Sequence, residues 1–163
     1  MSYVRTGFAL LLALSMGACS TVLTPDFGVR QGKLSPCPPK RDCISTQASD
    51  PEHYIAPIAY SSNRNQARLD LIKAVYAVGD ARLVSNHSTY LRVEYPTGNH
   101  DNNSSQYYYQ PESAVDEVEF YLSPATHNVE MRSIARLGLF DVGANRDRLE
   151  KIRAVFKILQ DRR

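Results

Sequence analysis

Charged side chains recur at every second position in three short stretches of this sequence. Arg92 and Glu94 alternate with Leu91, Val93 and Tyr95; Glu117 and Glu119 alternate with Val118, Phe120 and Leu122; Glu130 and Arg132 alternate with Val129 and Met131. A period of two sends successive side chains to opposite faces of a β-strand, so the charges gather on one face and the apolar residues on the other. Two carboxylates on such a face, Glu94 and Glu119, can divide acid and base roles when their surroundings push their pKa values apart. Arg92, Arg132 and Arg136 can instead join those carboxylates to line a polar groove for a small ligand or a partner. The third role is structural. A slip of one residue would bury every charge, so a ladder of this kind enforces register.

The ladder needs strands in a definite register. Ser123-Pro124-Ala125-Thr126-His127 reads as a turn between two of them. If Leu122 faces Val129 across it, Phe120 faces Met131, and Glu119 stands opposite Arg132, where opposite charges contribute roughly 0.2–1 kcal/mol. A shorter strand near residues 82–85 precedes these three, with a turn at Asn86-His87-Ser88. Before it, Ala67, Leu71, Val75 and Val78 recur at helical spacing, with Ser61, Ser62 and Asn63 as N-cap candidates and Gly79 as the stop. The last helix is expected to begin after Asn145 as its cap, with Leu149, Ile152, Val155, Phe156 and Leu159 as its buried stripe. Helix, four strands, helix predicts an α+β domain: a four-stranded antiparallel sheet with an N-terminal and a C-terminal helix packed on its apolar face.

A second candidate cluster lies between Gly138 and Arg148. Asp141 and Asn145 can accept backbone donors at a turn or cap. Arg136, Arg146 and Arg148 either bind an anion beside the helix N-terminus or pair internally, for instance with Asp141; internal pairing is the expectation. The polar stretch at 96–114, ending in Tyr107-Tyr108-Tyr109, reads as a surface loop, with a contact surface as the alternative.

The N-terminus points to export. Arg5, an apolar run from Phe8 to Met16, then Gly17-Ala18-Cys19 have the three-part layout of a secretory signal. The run is too short to cross a bilayer core, which takes roughly 20 residues of helix. Met16-Gly17-Ala18-Cys19 resembles the cleavage box of bacterial lipoproteins, with Met16 in place of the usual leucine. That resemblance implies a signal peptide over 1–18 and a lipidated, palmitate-bearing Cys19, its acyl chains anchoring the protein to a membrane. Ser20, where aspartate would retain a lipoprotein at the inner membrane, implies the outer membrane, facing the periplasm.

Cysteine parity agrees. Once Cys19 carries lipid, Cys37 and Cys43 remain as a pair in an oxidising compartment, and five residues between them permit a disulfide loop. A redox pair, half a zinc site and free thiols are the alternatives. Redox pairs sit closer, as C-x-x-C, and a zinc site needs further ligands that no second cysteine or histidine pair supplies. Six of the nine prolines fall between Pro25 and Pro57, which argues against central strands or long helices there. Residues 19–35 read as a tether and 36–163 as the domain, whose first part, to about Tyr60, is an extended segment.

Composition excludes some partners. The chain has 163 residues, 22% of them charged, and a formal net charge of +2. Loss of Arg5 with the leader leaves about +1, too little to attract nucleic acid at long range. His53, His87, His100 and His127 are scattered without ligand spacing. No nucleophile elbow, zincin helix, phosphate loop or dinucleotide fingerprint occurs. No catalytic residue, metal or cofactor is assigned.

From Pro36 onward the chain resembles the DUF1499 proteins. The residues that carry the likeness are Cys37-Pro38, Cys43-Ile44-Ser45-Thr46-Gln47-Ala48, Tyr90-Leu91-Arg92-Val93-Glu94 and Asp116-Glu117-Val118-Glu119-Phe120. They continue in Arg132-Ser133-Ile134-Ala135-Arg136-Leu137-Gly138, Asp141, Gly143, Asn145-Arg146 and Arg148. Two departures stand out: Ala135 replaces a usual second serine, and the 96–114 loop is longer than usual. The family implies no established reaction. The expected function is that of a lipid-anchored envelope protein that binds an envelope partner or a small amphipathic ligand. A hydrolase-like enzyme using the charged sheet face, and a purely structural envelope protein, are the alternatives.

Overall fold

A computed structural model describes residues 26–38, 43–97, 115–136 and 143–162. The leader, Cys19, most of the 96–114 loop and Asp141 lie outside the described residues.

The elements run in the order β1 (Val29–Arg30), β2 (Lys33–Leu34), β3 (Cys43–Ser45), β4 (Ile58–Ala59), α1 (Arg64–Val78), β5 (Arg82–Asn86), β6 (Tyr90–Pro96), β7 (Val115–Leu122), β8 (Asn128–Ala135) and α2 (Ala144–Asp161). The fold is α+β with an antiparallel sheet, but among the described residues the sheet has six strands rather than the expected four. Its order is β3-β8-β7-β6-β5, and β4 also pairs with β8. The two additional strands come from the proline-rich segment. Prolines lack a donor, so this segment pairs only in runs of three and two residues, at the sheet edge where an unpaired side is tolerated. β1 and β2 form a separate two-stranded hairpin, within the stretch that reads as a tether.

The register of β7 and β8 is the one the hydrophobic alternation predicts: Leu122 faces Val129, Phe120 faces Met131, and Glu119 faces Arg132. α1 begins at the N-cap Asn63, whose side chain accepts from the Gln66 N–H at 3.0 Å, satisfying one of the free amides of the first turn. It ends before Gly79, whose backbone is extended. α2 begins two residues earlier than its sequence suggests. Gly143, in a left-handed conformation, is its N-cap, and Asn145 is the helix's second residue rather than its cap. The reason is tertiary: the Asn145 side chain is committed elsewhere, as described below.

One buried cluster holds Ala67, Leu71, Ala74 and Val75 of α1 and Leu149, Ile152 and Phe156 of α2. It continues into Leu91, Val93, Val118, Phe120 and Met131 of the sheet. Each of the larger side chains among them (leucine, isoleucine, valine, phenylalanine or methionine), fully withdrawn from water, stabilises the fold by roughly 1.5–3 kcal/mol. A buried carboxylate sits inside this helix contact. Asp70 of α1 accepts from Gln66 at 3.1 Å and from Gln160 of α2 at 2.7 Å, which ties the two helices together.

Candidate functional site

The alternation that fixes the register also assembles the charges. Arg92, Glu119 and Arg132 form one row straight across β6, β7 and β8, with Ser45 of β3 at its end. Arg82, Glu94 and Glu117 form the next row across β5, β6 and β7. Glu94 and Glu117 face each other directly, an arrangement that like charges would make unfavourable on their own. Arg136, just past the end of β8, resolves it by bonding both carboxylates. Arg92 adds a contact to Glu117 at 3.2 Å, and Arg82 bonds the far side of Glu94. In the first row Arg132 meets Glu119 at 2.6 Å, and the Tyr90 hydroxyl donates to the same carboxylate at 2.7 Å.

The carboxylates of this face are withdrawn from water, although Arg82 at its edge is exposed. Glu117 and Glu119 are completely buried and Arg132 is 2% exposed. The segment leading into the β1–β2 hairpin covers Glu119 and Arg132, and Arg136 and Arg92 close over Glu117. The Gly28 N–H donates to Glu119 at 2.6 Å, and Arg132 donates to the Asp26 carbonyl at 3.0 Å. The Phe27 ring lies 4.9 Å from the Arg92 guanidinium carbon and 5.8 Å from that of Arg132, within cation–π range. Leu34, at the end of the hairpin, is buried and donates its N–H to Gln47 at 2.8 Å. Polarity in the sequence therefore marks mutual pairing here rather than contact with water.

The electrostatics follow from that pairing. Burial pushes the Glu94 carboxyl up, but the hydrogen bonds from Arg136 and Arg82 outweigh it and hold the group below its ordinary value of 4.5. Arg136 shows the reciprocal effect: burial opposes its charge, and Glu117 and Glu94 more than restore it. Burial, reinforced by the Glu119 charge, raises the Tyr90 phenol well above its ordinary range. Each of the three carboxylates is held by at least one arginine. The two proposed acid–base partners, Glu94 and Glu119, sit in different rows and are engaged by different arginines.

The second candidate cluster divides. Asn145, Arg146 and Arg136 do not converge. Arg136 belongs to the charged face, and Arg146 donates to the backbone carbonyls of Glu52 and Tyr54, at 2.9 and 2.8 Å. Asn145 lies on the other side of the sheet, completing a buried junction. Its side-chain oxygen accepts from Ser133 of β8 and, at 2.8 Å, from Arg148. Arg148 also bonds Asp116 of β7 at 2.5 Å and lies 4.8 Å from the Tyr95 ring. Ser133 is thus hydrogen-bonded to an amide and a guanidinium, neither of which can take its proton as a general base. The junction clamps the first turn of α2 to two strands.

Cys37 and Cys43 are joined in a disulfide, with Cα atoms 5.6 Å apart. Among the described residues, no group of three histidine, cysteine or acidic side chains could hold a metal ion, and no helix is long and apolar enough to cross a membrane. An open cleft of about 370 Å³ lies where the end of α1, the end of β6 and the first turns of α2 meet. Val78, Tyr95 and Pro96 give it apolar surface, while Asp80, Arg148 and Lys151 supply charge.

Sequence reasoning missed several members. Arg82 and Tyr90 join the charged face, Asp116 and Ser133 the junction, and Asp70 the helix contact. Asp70 had a legible signal, since it stands three residues after Ala67 and four before Ala74, on the apolar stripe. Arg82 and Asp116 had none, because their partners are set by strand pairing and by the docking of α2.

A model of the DUF1499 family, described as a protein of unknown function, matches residues 33–156. The chain belongs to the DUF1499 family. No curated protein and no solved structure matches it. The family region contains both polar networks, whereas Asp26, Phe27 and Gly28, which cover the charged face, precede it.

Proposed function

We propose that this DUF1499 domain is a lipid-anchored cell-envelope protein that serves as a binding module for a partner or a small amphipathic ligand. It is exported, cut before Cys19, and held by lipid at the outer membrane with the domain in the periplasm. The observation that carries the binding reading is the cleft at the start of α2. Its walls combine apolar surface with cationic and anionic side chains, the chemistry an amphipathic ligand requires, and its volume falls in the range of small-molecule sites. The disulfide between Cys37 and Cys43 supports an oxidising compartment. The internal pairing of Glu94, Glu117 and Glu119 weighs against the hydrolase-like alternative, which needs a carboxylate free to exchange a proton with substrate.

Intact mass spectrometry of the membrane-extracted protein, with and without reduction and alkylation, tests the anchor. The expected mass begins at Cys19 and includes lipid, and Cys37 and Cys43 are alkylated only after reduction. An unlipidated chain that retains Met1 would overturn the envelope assignment. Native mass spectrometry of the same preparation tests the binding reading. A co-purifying small molecule, released by Lys151→Glu, is the expected result, and identical ligand-free spectra for both proteins would count against the cleft.

A further inference from the structure

The contacts between Asp26-Phe27-Gly28 and the Arg92–Glu119–Arg132 row are those a protein makes with a bound peptide. One main-chain carbonyl, of Asp26, accepts from Arg132; one main-chain N–H, of Gly28, donates to Glu119. Between them, the Phe27 ring lies against two guanidinium groups. Both hydrogen bonds join main-chain groups of the segment to side chains of the row, so they do not depend on the segment's own side chains, and Phe27 supplies the sequence-dependent contact.

Two independent observations separate the site from its occupant. Arg92, Glu119 and Arg132 all lie inside the family-matched region, residues 33–156, while the three residues they hold lie outside it. The family domain supplies the row and a flanking segment fills it. The fit is also incomplete. The Nε of Arg132 is buried and has no hydrogen-bond partner among the described residues, although the side chain is 2% exposed. A buried guanidinium donor left unused is unfavourable, so the cis segment is held less tightly than a fully paired contact would be, which leaves it open to displacement.

We propose that the Arg92–Glu119–Arg132 row is a peptide-recognition site occupied in cis by Asp26–Gly28. The competing ligand is the same segment of a second copy of this chain, which brings the same carbonyl, ring and N–H. Exchange between copies would link neighbouring molecules through their N-terminal segments. The proposal goes beyond the cleft reading and uses different residues, so either can fail alone.

Gly28 offers a selective way to open the site. Its φ is +104°, a conformation that L side chains rarely adopt, and an added Cβ would meet nothing within 4 Å. Gly28→Ala therefore strains the covering segment without a clash against the sheet. The probe is a fluorescent synthetic peptide of residues 24–34, titrated into the full chain in detergent and read by anisotropy. Backbone strain of this kind should make Gly28→Ala bind the peptide roughly ten- to hundredfold more tightly than the unmodified chain, whose own segment competes. The same peptide carrying Phe27→Ala should lose most of that binding, as should Arg92→Ala placed in the Gly28→Ala chain. A cooperatively melting Gly28→Ala chain that binds no peptide, or binds both peptides equally, overturns the proposal. If Gly28→Ala does not fold, hydrogen exchange on the unmodified chain decides. Excess unlabelled peptide must then speed exchange at the amides of residues 28–34, and unchanged exchange overturns it.

Discussion

Replacing Arg132 with methionine should cost this domain about 3 kcal/mol, because it breaks a buried ion pair from one side only. Arg132 is 2% exposed and lies 2.6 Å from a fully buried Glu119. Removing one member of such a pair leaves an uncompensated charge, and the cost is about 3–5 kcal/mol. Glu119 would keep two neutral donors, the Gly28 N–H and the Tyr90 hydroxyl, which places the loss at the lower end of that range. Methionine retains the bulk of the arginine stem, so little of the effect comes from a cavity. For a domain of this size the loss corresponds to a fall in Tm on the order of 10 °C. Urea denaturation at neutral pH gives the free energy directly. Glu119→Gln should cost a similar amount, and the double variant should cost less than the sum by about 1.5–3 kcal/mol, since neither charge is then stranded. A single-variant loss below about 1 kcal/mol, or additivity within about 0.5 kcal/mol, would mean that water or another group already compensates the pair, and the reasoning from burial would be wrong.

Three further outcomes follow from the same geometry. Because the Glu94 carboxyl is held below 4.5, its unfolded form binds protons first as the pH falls. Its contribution is present above the unfolded pKa and lost as the pH drops through the folded one, so acid unfolding of Glu94→Gln should show a shallower loss below pH 4.5 than the unmodified chain. Reduction of the Cys37–Cys43 disulfide, or the paired serine variant, should lower stability in urea by about 2 kcal/mol, the loop-closure value for so short a ring; no change would mean that β3 is held by its pairing with β8 alone. Asn145→Ala should cost about 2–3 kcal/mol, the upper part of the range for an unsatisfied buried group, by removing the buried acceptor that Ser133 and Arg148 share, with the loss seen in thermal melts; a loss of about 1 kcal/mol, typical of an exposed helix cap, would overturn this reading.

Much of this architecture was legible in local patterns. The change from helical spacing in Ala67–Val78 to alternation in Leu91–Tyr95 marks where α1 gives way to the sheet, and the alternation of Val118–Leu122 against Val129–Met131 sets the pairing of Glu119 with Arg132. Both depend only on the geometry of a chain a few residues long, and a one-residue error would expose the whole apolar face. The pairing of β3 and β4 with β8 was not legible, because two- and three-residue strands carry no period and their position depends on a sheet edge built elsewhere in the chain.

The sequence by itself determined which residues share a face; the tertiary structure decided what each face meets. A polar stripe reads the same whether it is bathed in water or closed against its own counter-charges. Here Arg136 bridges Glu94 and Glu117, and the Asp26–Gly28 segment covers Glu119 and Arg132, so the stripe is interior. Asn145 likewise has the composition of a cap, yet Ser133 and Arg148 claim its side chain once α2 docks on β7 and β8. Periodicity specifies direction over a few residues, whereas these pairings join positions up to 106 apart and exist only when the fold brings them together.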